Sequence, residues 1–222
     1  ILAAAPGSVE AATAEAAIAG CDEAGAGCLA GPVVAAAVVL PDDTLFEGLD
    51  DSKRVTAVRR AEVLVNLQAC SGVLWAVGVV DACTVDAINV RQARLLAMRR
   101  AVDALLQTLT EQHQSLFLIV DGTDALPEAA IPLRRQRAVV GADALCAAVA
   151  AASIIAKETR DDIMRVAHQQ YPRYGFDAHK GYGTAQHVAA LMQHGPCPLH
   201  RLSYKPVALA GQLHPQADKP KL

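Results

Sequence analysis

Four acidic residues of this chain stand where an acid is costly. Asp22 and Glu23 close the apolar run IAGCDE, Asp121 closes LFLIV, and Asp143 follows AVVGA at the start of an Ala-rich stretch. A carboxylate beside apolar sequence is partly desolvated and wants a cation or hydrogen-bond donors. Brought together, such acids make a hard oxygen cage suited to Mg²⁺ or Mn²⁺. Two ions held there activate water and stabilise the leaving oxygen in phosphodiester cleavage. Each acid also has an ordinary explanation. Asp121-Gly122 is turn chemistry and Asp143 can cap a helix. Adjacent strand residues point to opposite faces, so Asp22 and Glu23 share a site only if the chain bends between them. The following Ala-Gly-Ala-Gly permits that bend.

The elements that would position these acids follow from the apolar pattern. Ala17–Cys21 and Val33–Leu40 read as neighbouring strands, Val73–Val80 as a third, Leu116–Val120 as a buried fourth and Ala138–Val140 as a short fifth. Pro41–Lys53 is a turn-rich acidic loop. Thr56 caps a helix running to about Ala69. Thr84–Leu109 reads as one long helix, Asp143 to about Gln170 as another, and Thr184–His194 as a third. Residues 171–183 form a Gly- and aromatic-rich loop. After Pro206 the pattern predicts a weakly ordered tail. Strands followed by alternating helices and strands give a mixed α/β sheet with helices on its faces.

A length of 222 residues suits one domain, and 53% hydrophobic residues exclude general disorder. Aromatics are only 4%, so the core must be Ala, Val, Leu and Ile. The expected organisation is a poorly ordered segment 1–16, a catalytic unit 17–207 and a tail 208–222. No apolar run approaches the ~18–20 residues of a membrane span, and the first residues carry no basic region, so neither membrane nor signal peptide is expected. Six cysteines without a C-x-x-C pair read as reduced thiols of a cytoplasmic protein. The net charge of −3 conceals an asymmetry: residues 1–130 carry −9 and residues 131–222 carry +6. Carboxylates for cations in one half and Lys/Arg for phosphates in the other would suit a metal-dependent enzyme acting on a polyanion. No P-loop motif occurs, so ATP is not implied. Nothing is placed to activate Ser153 as a nucleophile. The spacings of His179, His187, His194 and His200 do not suggest zinc.

The stretch IAGCDEAGAGCLAGPVVAAAVVL resembles the opening signature of bacterial ribonuclease HII. The likeness continues through DDSKRV (50–55), LIVDG (118–122), GADALCAAVAAASIIAKETRD (141–161), YGFDAHKGYGTAQH (174–187) and GPCPLHRLSY (195–204), in the family's order. It implies a ribonuclease H-like sheet flanked by helices, with a C-terminal helical extension. It also implies an endoribonuclease that cuts RNA within RNA/DNA hybrids and incises 5′ to single ribonucleotides in duplex DNA, leaving 3′-hydroxyl and 5′-phosphate ends. Asp22, Glu23, Asp121 and Asp143 fall on the family's metal-site acids, which hold Mg²⁺ or Mn²⁺, two ions per site. Gly25, Ala26 and Gly27 fall on the loop that contacts the 2′-hydroxyl. Ser52 and Lys53 match a family motif; Lys53 and Lys180 are expected on phosphates, and Tyr182 on the sugar beside the ribonucleotide. A monomer is expected.

Three departures from the family pattern stand out. Its Gly-Arg-Gly loop is Gly25-Ala26-Gly27 here, which removes an arginine that would grip the adjacent phosphate. Its Lys-Gly-Asp at the fourth acid is Gly141-Ala142-Asp143. Thr123-Asp124 replaces an Asn-Arg after the third acid; Asp124 either tightens metal binding or repels substrate. The alternatives are a ribonuclease HIII-like enzyme restricted to continuous hybrids and a catalytically weakened hybrid-binding module.

Overall fold

The computed structural model describes residues 17–41, 46, 49, 56–109, 116–127 and 131–215. The chain runs β1 (Ala17–Ala24), β2 (Val33–Val39), α1 (Ala57–Ala69), β3 (Leu74–Val80), α2 (Ala82–Ile88), α3 (Val90–Leu106), β4 (Leu116–Asp121), β5 (Gln136–Val139), α4 (Ala147–Gln170), α5 (Phe176–His179), α6 (Ala185–His194) and α7 (Lys205–Leu213). One sheet has the order β3-β2-β1-β4-β5. β1 and β2, and β2 and β3, are antiparallel; β1 and β4, and β4 and β5, are parallel. This is the expected ribonuclease H-like mixed sheet with helices on its faces and a helical C-terminal part.

The composition explains the layering. β2 reads VVAAAVV and is buried throughout, because helices cover both faces of the sheet. Its alternate residues divide between two cores. Val33, Ala35, Ala37 and Val39 pack with Ala93, Ala97, Met98 and Ala101 of α3. Ala36 and Val38 pack with Val63 and Leu67 of α1 and with Ala151, Ala152, Ile154 and Ile155 of α4. Small side chains let the helices approach closely. At Gly20 a Cβ would lie 2.2 Å from the backbone of α4, and at Gly78 2.0 Å from a carbonyl of α3. Both positions need glycine for room, not for conformation. That places the α4 face carrying Ser153 directly over the end of β1.

Three expectations are corrected. The long helix from Thr84 is two helices, broken at Asn89, which takes a positive φ of 65° and whose side chain caps α3 at the Gln92 amide. With ψ at 161° this backbone is costly for any residue with a side chain, and the cap to Gln92 helps hold it; the apolar period runs on across the break. Asp143 does not open α4; it lies in a single 3₁₀ turn, Ala142–Ala144, and α4 begins at Ala147. The segment after Pro206 is not a weak tail up to residue 213: α7 spans Lys205–Leu213 and buries Val207 and Ala210 against Leu29 and Leu191. Pro206 sits in its first turn, where a missing N–H costs nothing. Among the described residues no helix is long and apolar enough to cross a membrane, and all six cysteines are free thiols.

Candidate active site

β1 and β4 run parallel, with Cys21 paired to Val120, so Asp22, Glu23 and Asp121 emerge side by side at the same end of the sheet. A cleft of about 370 Å³ opens there, lined by Asp22, Glu23, Ala24, Gly25, Ala26, Arg60, Asp121, Ser153, Lys157 and Tyr182. The alternation rule holds across Asp22 and Glu23 without a bend. Asp22 turns to the α4 side, where the Ser153 hydroxyl bonds it, and Glu23 turns to the α3 side, where it meets Arg94. Both border the cleft because it straddles the sheet's end. Asp143 is buried next door: the amide of its neighbour Ala142 donates to Asp121 Oδ1 at 2.8 Å. Asp143 is not among the residues lining the cleft.

The acids press on one another. Burial pushes the Asp22 carboxyl up to about 7, with the Glu23 and Asp121 charges adding to the rise and the Ser153 and Glu23-amide hydrogen bonds opposing it. Glu23 Oε2 is buried without a hydrogen-bond partner. Converging carboxylate oxygens, one of them orphaned, are the donor set a hard divalent cation takes. Among the described residues no group of three His, Cys, Asp or Glu side chains is already closed to the spacing of a metal shell. Glu23 is held aside by Arg94, whose Nε lies 2.6 Å from Oε1. The Arg94 Nε–H is poorly aimed along that contact, so the pair is a close but distorted charge-assisted contact and not an aligned fork. The donors fit Mg²⁺ or Mn²⁺ in kind; Asp22, Glu23 and Asp121 are the residues that would hold it.

The rest of the cleft lining is cationic and aromatic. Arg60 Nε donates to Glu158 Oε1 at 2.8 Å, and Lys157 Nζ to Asp161 Oδ1 at 2.7 Å. The Tyr182 ring, 42% exposed, lies 5.6 Å from Lys157 Nζ and 5.7 Å from Arg160 Cζ. Asp124, open to two readings from sequence, is paired with Arg91 at 2.5 Å, so its charge is already answered. Lys180 does not reach the cleft: its ammonium bonds back to the carbonyl of Asp177. The lysine on the cleft wall is Lys157. Ser52 and Lys53 lie outside the described residues.

The Gly25–Gly27 loop is held from behind. Arg201, fully buried, donates to the carbonyls of Gly25 (2.7 Å), Ala26 (2.8 Å) and Gly31 (2.9 and 3.1 Å). Tyr204 adds a hydroxyl bond to the Ala26 carbonyl at 2.8 Å. Arg160, also fully buried, holds the Ala30 and Pro32 carbonyls. With the carbonyls drawn inward, a Cβ placed at Gly27 would meet nothing within 4 Å, so this side of the loop is open.

A chain of neutral histidines supports Tyr182. The Tyr182 carbonyl can only accept, so His187 Nδ1, 2.9 Å away, carries the proton. His187 Nε2 then accepts from His200 Nε2–H at 3.1 Å, and His200 Nδ1 accepts the Cys197 amide at 3.0 Å. Burial drives His187 down to about 4 and His200 to about 3.

Arg60, Lys157, Arg94 and Arg201 were not singled out by the sequence. Lys157 had a signal: Ser153, Lys157 and Arg160 recur at helical spacing on one face of α4. The arginines had none that local pattern could supply.

A mixed sheet with acids at the matched ends of its central parallel strands defines a ribonuclease H-like hydrolase. Residues 19–207 match the Ribonuclease HII family. The chain is 45% identical over 196 residues to ribonuclease HII of Nitratidesulfovibrio vulgaris, covering 85% of this chain and 86% of the relative. Its fold is similar to ribonuclease H2 of Pyrococcus horikoshii (TM-score 0.68, 23% identity, 90% of this chain and 99% of that one). It is also similar to Bst ribonuclease HIII, a structure in complex with Mn²⁺ (TM-score 0.72, 18% identity, 94% and 74%). The chain belongs to the ribonuclease HII family and is an enzyme of the metal-dependent ribonuclease H class.

Proposed function

We propose that this chain is an endoribonuclease that cleaves the RNA strand of RNA/DNA hybrids and incises 5′ to single ribonucleotides in duplex DNA, leaving 3′-hydroxyl and 5′-phosphate ends. The observation that carries this reading is one cleft lined by Asp22, Glu23 and Asp121 together with Arg60, Lys157 and Tyr182. Acids for metal ions and cations for phosphate in the same cleft suit a scissile phosphodiester.

Asp22, Glu23, Asp121 and the neighbouring Asp143 serve as the metal-site acids. Two Mg²⁺ or Mn²⁺ ions bound there supply an activated water and neutralise charge on the leaving oxygen. Arg60 and Lys157 hold the phosphate, each steadied by a carboxylate of α4. Tyr182 offers its exposed ring face to the sugar next to the ribonucleotide. The amides of Gly25, Ala26 and Gly27 read the 2′-hydroxyl, the group DNA lacks. Arg201 orients them by occupying the carbonyls behind. Residues 17–213 act as one catalytic unit.

One observation favours a second reading. Position 26 presents a methyl where the family has an arginine, so the grip on an isolated ribonucleotide is weakened. Two labelled duplexes separate the readings, one with a single ribonucleotide in DNA and one with a continuous RNA strand, each tested with Mg²⁺ and Mn²⁺ and with Asp121→Asn as the blank. Cutting 5′ to the lone ribonucleotide, lost in the blank, is the expected result. Cutting of the continuous hybrid alone replaces this reading with a ribonuclease HIII-like one. No cutting of either leaves a hybrid-binding module.

A further inference from the structure

The α3 helix carries four arginines near the sheet. Arg91 is committed to Asp124, Arg99 to Asp103 and Arg100 to the Val79 carbonyl. Arg94 alone of the four forms an ion pair with a cleft acid. Its guanidinium contacts Glu23 and also lies in the field of Asp124 and Asp22. With Arg91 it lines a small cavity that reaches Asp121, and it packs over the turn that follows: a Cβ on Gly122 would stand 3.4 Å from its Nη2. Arg94 thus sits across the seam between the ends of β1 and β4, where three carboxylates converge.

The contact is made to be released. A bidentate, well-aimed guanidinium–carboxylate fork is a strong pairing. Arg94 offers one poorly aligned approach, leaves Glu23 Oε2 unpartnered and keeps about a third of its side chain in solvent, so it can swing out without being buried elsewhere. It is not needed to fasten α3, which is anchored by Ala93, Ala97, Met98 and Ala101.

We propose that Arg94 is the resident counter-ion of the metal-free cleft and competes with divalent cations for Glu23, so that it sets the metal affinity of the site. The proposal rests on the metal-site reading given above. With Arg94 in place, the acids stay together without a metal, and Glu23 must leave the guanidinium before it can serve as a ligand. Removing Arg94 then has opposite effects on the two states: the metal-free protein loses its internal cation, and the metal gains an uncontested carboxylate.

The test is calorimetric titration of the full chain with Mn²⁺, alongside thermal unfolding in chelator and in Mn²⁺. Arg94→Gln is expected to bind Mn²⁺ roughly 3- to 10-fold tighter, the span between an exposed ion pair and a charge-assisted hydrogen bond. Its melting temperature is expected to fall by about 2–4 °C in chelator and to match the parent in Mn²⁺. Arg91→Gln removes an equal charge that is committed to Asp124, and is expected to change Mn²⁺ affinity less. Unchanged or weaker Mn²⁺ binding by Arg94→Gln, or an equal gain from Arg91→Gln, overturns the proposal. Should Arg94→Gln fail to fold, Arg94→Met, which keeps the aliphatic stem and removes the charge, decides it in the same way, tighter binding supporting and unchanged binding refuting. Asp121→Asn keeps the two levels apart. If the parent binds Mn²⁺ and Asp121→Asn does not, the metal site stands whatever Arg94 does; if the parent binds none, both ideas fall.

Discussion

The cleft and the histidine layer beneath it are both built from buried titratable groups, yet they are satisfied to opposite degrees. In the cleft, Asp22, Glu23 and Asp121 crowd one another, an oxygen of Glu23 goes without a partner, and the nearest cation is misaimed. In the histidine layer each of the four ring nitrogens of His187 and His200 has one role, and the tautomers close without conflict from Tyr182 to Cys197. The difference locates where stability is given up for function. A polar network completed internally specifies a single packing, and one left incomplete waits for something external to complete it. Tyr182 belongs to both regions: its ring faces the cleft while its carbonyl is held by the layer.

The sharpest way to break this comparison is at Asp121. Asp121→Asn is expected to lower cleavage by roughly a thousandfold or more, since stabilisation of several kcal/mol is lost with a metal-site carboxylate. It should leave the metal-free melting temperature unchanged or raised, because one crowded charge is gone. Parallel gel-based cleavage and thermal unfolding in chelator check both halves. A clear loss of stability would put the cleft in the same class as the histidine layer.

Acid titration comes next, and its sign differs between the regions. His187 and His200 have folded values of about 4 and 3, below the usual histidine value of 6.5. The unfolded chain therefore binds more protons, and their contribution to stability is lost as pH falls from about 6.5 toward 4 and below. Asp22 has a folded value of about 7 against 3.8, so between those values the folded state binds the extra proton and stability declines as pH rises. The slopes oppose one another over the shared range. Asp22→Asn should remove one opposing proton, so metal-free stability should rise more steeply from pH 4.5 to 6 by ~1.4 kcal/mol per pH unit. Denaturant unfolding across that range measures it; an unchanged slope would show that Asp22 does not carry the proton.

His200→Ala strands the bare nitrogen of His187 and the Cys197 amide, and opens a cavity. It should cost about 3 kcal/mol in denaturant unfolding. Its residual cleavage should show a raised KM through the displaced Tyr182. The smallest expected effect is a gain. Ala26→Arg adds one charge-assisted bond to phosphate at the open side of the cleft, worth about 1.5–3 kcal/mol. Single-ribonucleotide cleavage should rise ~10- to 150-fold in kcat/KM; no change would mean that Arg60 and Lys157 already suffice.

How far the sequence could be read depended on the range of the forces involved. The strands are legible because a sheet covered on both faces demands continuous apolar runs, and β2 is nothing else. The strand-end acids are legible for the same reason, since a charge against an apolar run stands out. The break at Asn89 is not, because one residue at positive φ leaves the apolar period almost undisturbed. α7 is hidden by Pro206, which reads as a stop but occupies the one turn that tolerates it. Least legible are the arginines. Arg60 finds Glu158 98 residues away and Arg201 finds Gly31 170 residues away, so their roles exist only once the chain has folded. Lys180 shows the converse error, a lysine beside a glycine-rich loop whose ammonium is spent on its own helix.

The Arg201 stitch also orders events in time. The brace is made 170 residues after the loop it holds. At ~5–20 residues per second this is a delay of on the order of 10–30 s. The β1–β2–β3 meander can pair throughout that interval, while the Gly25–Gly31 carbonyls stay unclaimed. The growing chain is thus a scaffold well before it is a nuclease, and competence to cut waits until Arg201 has left the ribosome.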